Sequence, residues 1–260
     1  MKLLGRCVKG FYMALGMFCG IPLPFHIWDE KYTSVMVASL PMVGVIIGTV
    51  WWAAALLFAA LNIPFMLMVA VLTIAPFFLA GFIHLDGYMD TSDALLSRRP
   101  LEDKLRILKD PAVGALAVVM LVILFLLQFA VMYTIMEKGK FLALFITVSI
   151  LSRSCSALSI LFLHHMPQSN YAALLAQNLG TAHKIIVVIL SLVTIFLSFL
   201  YAGASGLIVA VSVILGYVCA MRVVYKNFKG VSGDLLGDSL VIGELCGLVA
   251  LAMLQGETWF

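Results

Sequence analysis

The chain is poor in charge. Only 11% of its 260 residues are Asp, Glu, Lys or Arg, and 63% are hydrophobic. A soluble domain carries about 25% charged residues, and no single core needs this much apolar sequence, so a soluble globular class is excluded. The formal net charge of +3 is too small to mark a polyanion groove, which argues against nucleic acid as a partner. Cysteine is sparse and unpaired in pattern. Cys7, Cys19, Cys155, Cys219 and Cys246 form no Cys-x-x-Cys pair, so they are expected to pack as small hydrophobes rather than bind metal or form disulfides. The sequence shows no internal repeat, no stretch with the composition of a soluble domain and no small-x-small cleavage site after its first apolar patch.

What is present is a series of long apolar runs, over 34–61, 64–83, 113–136, 141–163, 185–202 and 206–222. A last run, 240–254, is short against the roughly 20 residues of a full crossing. The expected fold is all-α: one integral membrane catalytic domain over 1–260, a bundle of six to seven transmembrane helices. The first 32 residues are basic at Lys2, Arg6 and Lys9, then broken by Gly16, Gly20, Pro22 and Pro24, as suits an interfacial or re-entrant helix. Polar loops are expected at 84–111, 164–184 (with a short helix near 171–178) and 222–238.

The basic residues set an orientation. With the N-terminus inside, Lys2, Arg6, Lys9 and Lys31, then Arg98, Arg99, Lys104, Arg106 and Lys109, then Lys184, Arg222, Lys226 and Lys229 all fall inside. Only Lys138 and Lys140 fall outside, and Arg153 lies within a span. By the positive-inside rule the 84–111 and 222–238 loops are then both cytoplasmic, and their acidic groups can meet.

Those groups carry the chemistry. Asp86, Asp90 and Asp93 are spaced by four and three residues, so a helix would put them on one face. Asp110 follows, and Asp234, Asp238 and Glu244 belong to the second loop and the last apolar run. Clustered carboxylates are hard oxygen ligands suited to Mg²⁺ or Mn²⁺ bridging to substrate phosphates. Gly87, Gly114, Gly233 and Gly237 would let backbone approach a phosphate, and Lys109 could neutralise its charge. This pattern points to metal-assisted phosphoryl transfer at a membrane surface. Glu244 and Arg153 are ionisable groups within apolar sequence, where function or a mutual ion pair is expected. An ion-coupled transporter would instead set its acidic groups near mid-membrane.

Three motifs occur in order: His84-Leu-Asp86-Gly87-x-x-Asp90-x-x-Asp93-Ala94, Lys109-Asp110-Pro-x-x-Gly114, and Gly230-Val-Ser232-Gly233-Asp234-x-x-Gly237 with Glu244 beyond. With Ile21-Pro22-Leu23-Pro24 near the start, they resemble the cobalamin synthase family, the adenosylcobinamide-GDP ribazoletransferases, over essentially the whole chain. The resemblance implies a Mg²⁺-dependent enzyme of the bacterial cytoplasmic membrane. Such an enzyme joins α-ribazole or its 5′-phosphate to adenosylcobinamide-GDP and releases GMP. It implies Asp86, Asp90, Asp93 and Asp234 as metal ligands, with His84, Asp110 and Glu244 orienting substrate or accepting a proton. Beyond its substrates and the lipid bilayer, a homo-oligomer is compatible with this reading. A CDP-alcohol phosphatidyltransferase-like lipid enzyme is the nearest alternative, but Tyr88-Met89-Asp90 does not fit its alanine-arginine step.

Overall fold

The structure, a computed structural model, describes residues 2–166 and 180–255, with side chains from Gly5 onward. Its regular structure is helical; the one β-type contact among the described residues is an isolated bridge between His165 and Val231. Helix α1 (Lys2–Phe18) buries Gly10, Met13 and Ala14 at helical spacing and exposes Arg6 and Lys9. It ends before Gly20, Pro22 and Pro24. A single 3₁₀ turn at Glu30–Tyr32, capped by Asp29, leads into α2 (Thr33–Ala38) and α3 (Leu40–Ala60). There follow α4 (Phe65–Leu79), α5 (Ile83–Leu96), α6 (Leu101–Ile107), α7 (Ala115–Lys138), α8 (Leu144–Phe162), α9 (Thr181–Ala202), α10 (Ala204–Phe228) and α11 (Gly233–Met253).

Six of these, α3, α7, α8, α9, α10 and α11, are long and apolar enough to cross a membrane. The chain is therefore a multi-pass, all-α bundle. Helix α8 lies at its centre. Its serines 149, 152, 154, 156 and 159 are buried, and those at 152, 154 and 156 bond back to carbonyls of their own helix. Small polar residues of this kind let membrane helices approach closely and hydrogen-bond across the contact, as Tyr217 Oη does to Ser159 Oγ at 3.0 Å and Thr147 to Ser198 at 2.6 Å. Helices α7 and α9, by contrast, expose rows of large apolar side chains.

Several boundaries differ from those expected of the sequence. The 64–83 run is not one span. Helix α4 stops at Leu79, and α5 leaves it at 89°. The break is made by Gly81 and Phe82, both left-handed at φ +65° and +61°, a conformation that costs a side chain such as phenylalanine roughly 1–2 kcal/mol. Beyond the break, α5 packs against α11 and the first half of α7. The 84–111 segment is largely helical, as α5 and α6. The 222–238 loop shrinks to four residues, because α10 runs on to Phe228 and α11 begins at Gly233. The last run is consequently not short: α11 has 21 residues. The proposed helix near Tyr171–Asn178 lies outside the described residues. The cysteines do not all pack inside: Cys19 is buried, but Cys7 and Cys219 are exposed.

Candidate functional site

Helix α5 buries Leu85, Gly87, Tyr88, Thr91, Ser92 and Ala94 and turns its other face outward. On that face stand Asp86, exposed, and Asp90 and Asp93, half-buried, as their spacing required. The N-terminus of α11 meets them. Ser232 caps it, its hydroxyl accepting the Leu235 amide at 3.4 Å, and Asp234 sits in its first turn. Gly87 makes the junction: a Cβ there would fall 2.7 Å from the Asp234 carbonyl oxygen and 2.8 Å from its Cα. On the same junction Gly237 faces His84, where a Cβ would come within 3.2 Å of the His84 backbone. Gly114, just before α7, lies against the Asp93 carboxylate, which would overlap any Cβ placed there. Gly233 is open around its Cα. The three motifs, separated in sequence by up to 150 residues, therefore converge on one end of the bundle. The His164–Met166 segment is tied to the same end, since the Val231 amide donates to the His164 carbonyl (3.0 Å) and the Met166 amide to that of Val231 (3.1 Å).

The acidic groups feel one another. Burial, and then the neighbouring charges of Asp86, Asp234 and Asp93, push the Asp90 carboxyl up to about 6. This repulsion is what a divalent cation relieves, and carboxylate oxygens are its natural ligands. Among the described residues no three acidic, histidine or cysteine side chains converge on one point. A Mg²⁺ ion would then be held through only one or two of these carboxylates, with waters and substrate phosphates completing its shell. In donor type, though not as a preformed cluster, these side chains suit such an ion.

Beneath the carboxylates is a cavity of about 320 Å³, lined by His84, Asp86 and Ile83 of α5, Arg153, Ser156 and Ile160 of α8, Ser232, Gly233, Asp234, Leu236, Gly237 and Leu240 of the α11 end, Met17 and Phe18 of α1, and Leu40 of α3. The Phe18 ring stacks on the His84 imidazole, centroids 6.5 Å apart and planes at 9°. Burial, and then the Arg153 guanidinium, push that imidazole down to about 3, so it is neutral. Its Nε2 is buried and finds no partner among the described residues.

The remaining sequence candidates divide. Glu244 is not with the cluster. It is held in the interior by Arg153, whose Nη1 lies 2.6 Å from its Oε1, and by the Ser152 hydroxyl at 2.9 Å. Of the two expectations for this pair, the mutual ion pair is what the fold makes. Asp238 is buried one turn after Asp234. Asp110 and Lys109 are exposed, and the Asp110 carboxylate accepts the Ala112 amide at 2.9 Å, closing its own turn. The cavity walls from Phe18, Ser156 and Ile160 were not singled out from the sequence. Arg153 was the visible signal, a cation in an apolar span.

A family model described as "Cobalamin-5-phosphate synthase" matches residues 10–252. The chain is 36% identical to a Clostridium perfringens protein named adenosylcobinamide-GDP ribazoletransferase, over 95% of this chain and 98% of that one. A Clostridium botulinum protein of the same name is 35% identical over 94% and 97%, and one from Acinetobacter baumannii 31% identical over 90% and 93%. No solved structure matches.

Proposed function

The chain belongs to the cobalamin-5-phosphate synthase family, and from that membership and the carboxylate site we propose that it transfers α-ribazole, or its 5′-phosphate, onto adenosylcobinamide-GDP with Mg²⁺ at the cytoplasmic membrane surface. The observation that carries the chemistry is the junction of Asp86, Asp90 and Asp93 on α5 with Asp234 at the start of α11. The acceptor hydroxyl oxygen forms a bond to the cobinamide-linked phosphorus, the phosphoanhydride bond breaks, and GMP leaves with the bridging oxygen. Bound at the carboxylates, Mg²⁺ would supply neutralisation of the diphosphate and of the leaving phosphate. Its one or two carboxylate ligands would come from among Asp86, Asp90, Asp93 and Asp234.

The hydroxyl proton needs an acceptor, and Asp86 and Asp234, which line the cavity, are the carboxylates within reach of a molecule seated there. His84, whose imidazole burial and Arg153 hold in the neutral form, lines the cavity as a wall. Glu244 is spent on Arg153. Gly87, Gly114 and Gly237 keep the elements in contact, while Lys109 stands on an exposed turn where its ammonium would neutralise the donor's phosphates, and Asp110 closes that turn on the Ala112 amide. The positive-inside count supports a cytoplasmic face for this end of the bundle. A lipid transferase of the CDP-alcohol type would need the alanine-arginine step that Tyr88-Met89 replaces.

The test is GMP release from adenosylcobinamide-GDP by purified, detergent-solubilised protein given α-ribazole, with and without Mg²⁺. Metal-dependent release with appearance of the joined corrinoid is expected. No release from folded protein, with turnover of a CDP-linked donor, would replace this reading by the lipid one.

A further inference from the structure

The cavity below the carboxylates has two properties that the metal chemistry does not use. The first is its lining. Phe18, Leu40, Ile160, Leu236 and Leu240 give it apolar walls, closed on one side by the stacked rings of Phe18 and His84. The second is a pair of unsatisfied buried nitrogens. Arg153 is 1% exposed and lines the cavity, yet its Nε–H has no partner among the described residues, although its Nη1 is fully engaged by Glu244 and the Ser149 carbonyl. The His84 Nε2 is in the same state. Buried polar atoms are nearly always hydrogen-bonded, and leaving one unmade costs on the order of 1–3 kcal/mol. Both side chains line the cavity, so a ligand seated there lies beside them.

Size discriminates between the two substrates. Ligand pockets run from roughly 300 to 1,000 Å³, and at about 320 Å³ this one is at the small end. It has room for a nucleoside but not for a corrin macrocycle. Charge discriminates as well. Arg153 is neutralised by Glu244, and the carboxylates at the mouth are negative, so the interior suits a flat, largely apolar, uncharged ring rather than a diphosphate.

We infer that this cavity is the acceptor pocket, holding the ribonucleoside with its apolar base between Phe18 and the α8 wall at Ser156 and Ile160 and a sugar hydroxyl turned to Asp86 and Asp234, while the corrinoid donor stays on the open surface of α5. Arg153 and His84 line the pocket beside the bound nucleoside. The α1 helix is then a wall of the site, not only a membrane-surface anchor. This inference rests on the function proposed above.

The test is equilibrium dialysis of α-ribazole against the full chain in detergent, without donor or metal, for the wild type, Ser156→Leu and Phe18→Ala, alongside the KM of each substrate. Ser156→Leu fills the cavity from α8. It is expected to weaken ribazole binding and raise its KM at least tenfold, with the KM for adenosylcobinamide-GDP within twofold of wild type. Phe18→Ala opens the α1 wall and is expected to weaken ribazole about fivefold, which keeps the question answerable should Ser156→Leu misfold. Unchanged ribazole affinity in folded variants, or a rise confined to the corrinoid KM, overturns the assignment. A wild type that makes no joined corrinoid overturns the proposed function instead, while dialysis, needing no donor, still reads the pocket.

Discussion

Gly87 of α5 touches the backbone of Asp234 at the start of α11, with no room between them for a methyl group. Two acidic motifs almost 150 residues apart are joined at this point. Gly87→Ala is expected to separate the helices, because the atoms it meets are backbone and cannot turn aside. A cost of about 1–3 kcal/mol in stability is typical of such overpacking, and the displaced carboxylates should lower GMP release at least tenfold. Thermal unfolding in detergent and the transfer assay read the two effects separately. Wild-type values for both would show that the contact does not position the site.

The Arg153–Glu244 pair makes a different kind of prediction. Removing one partner of a buried ion pair leaves an uncompensated charge and typically costs about 3–5 kcal/mol, whereas replacing both with apolar residues is often neutral. Glu244→Leu is therefore expected to be strongly destabilising, and Arg153→Met with Glu244→Leu to recover most of the loss. The double variant should remain slow in transfer, because the cavity has lost its guanidinium. Equal instability of the single and double variants would deny the pairing its structural role.

The raised Asp90 carboxyl gives a pH dependence. Between the ordinary aspartate value near 4 and about 6, the folded protein holds a proton that the unfolded chain has released. Metal-free stability from this group is therefore present at low pH and falls as pH rises through that window. Mg²⁺ binds the ionised cluster, so its stabilising effect must grow over the same interval. Unfolding temperature measured with and without Mg²⁺ should differ clearly at pH 7.5 and little at pH 5. A shift independent of pH would place the ion elsewhere.

Sidedness can be read directly. In a cysteine-free background, single cysteines at Ser97, after α5, and at Lys140, between α7 and α8, should behave oppositely toward an impermeant maleimide added to intact cells. Lys140→Cys is expected to label and Ser97→Cys to label only after lysis. The reverse pattern would put the carboxylates on the outer face.

Much of this site was legible in the sequence because the information is local. The spacing of Asp86, Asp90 and Asp93 fixes their common face once α5 forms. What misled was glycine. Gly230, Gly233 and Gly237 made 222–238 read as a loop, since glycine costs a helix interior about 1 kcal/mol. Here packing outweighs propensity: Gly237 lies against α5 and the Ser232 cap starts α11 at Gly233. The last helix therefore gained a full crossing length. The turn between α4 and α5 was hidden for a related reason: the apolar run continues through Phe82, and the break is marked by left-handed backbone at Gly81 and Phe82. The Arg153–Glu244 partnership could be framed as one of two outcomes but not chosen, because it depends on how α8 and α11 pack. The cavity walls from α1 and α8 arise only from tertiary structure, and no local pattern announces them.

The most direct test of the central claim is the rate of GMP release by Asp90→Asn at saturating Mg²⁺, adenosylcobinamide-GDP and α-ribazole, with folding verified by an unchanged unfolding profile. Asp90 stands among Asp86, Asp93 and Asp234, and asparagine keeps its shape while removing its charge. The account predicts a loss of at least a hundredfold. A folded Asp90→Asn protein that transfers ribazole at the wild-type rate would contradict it.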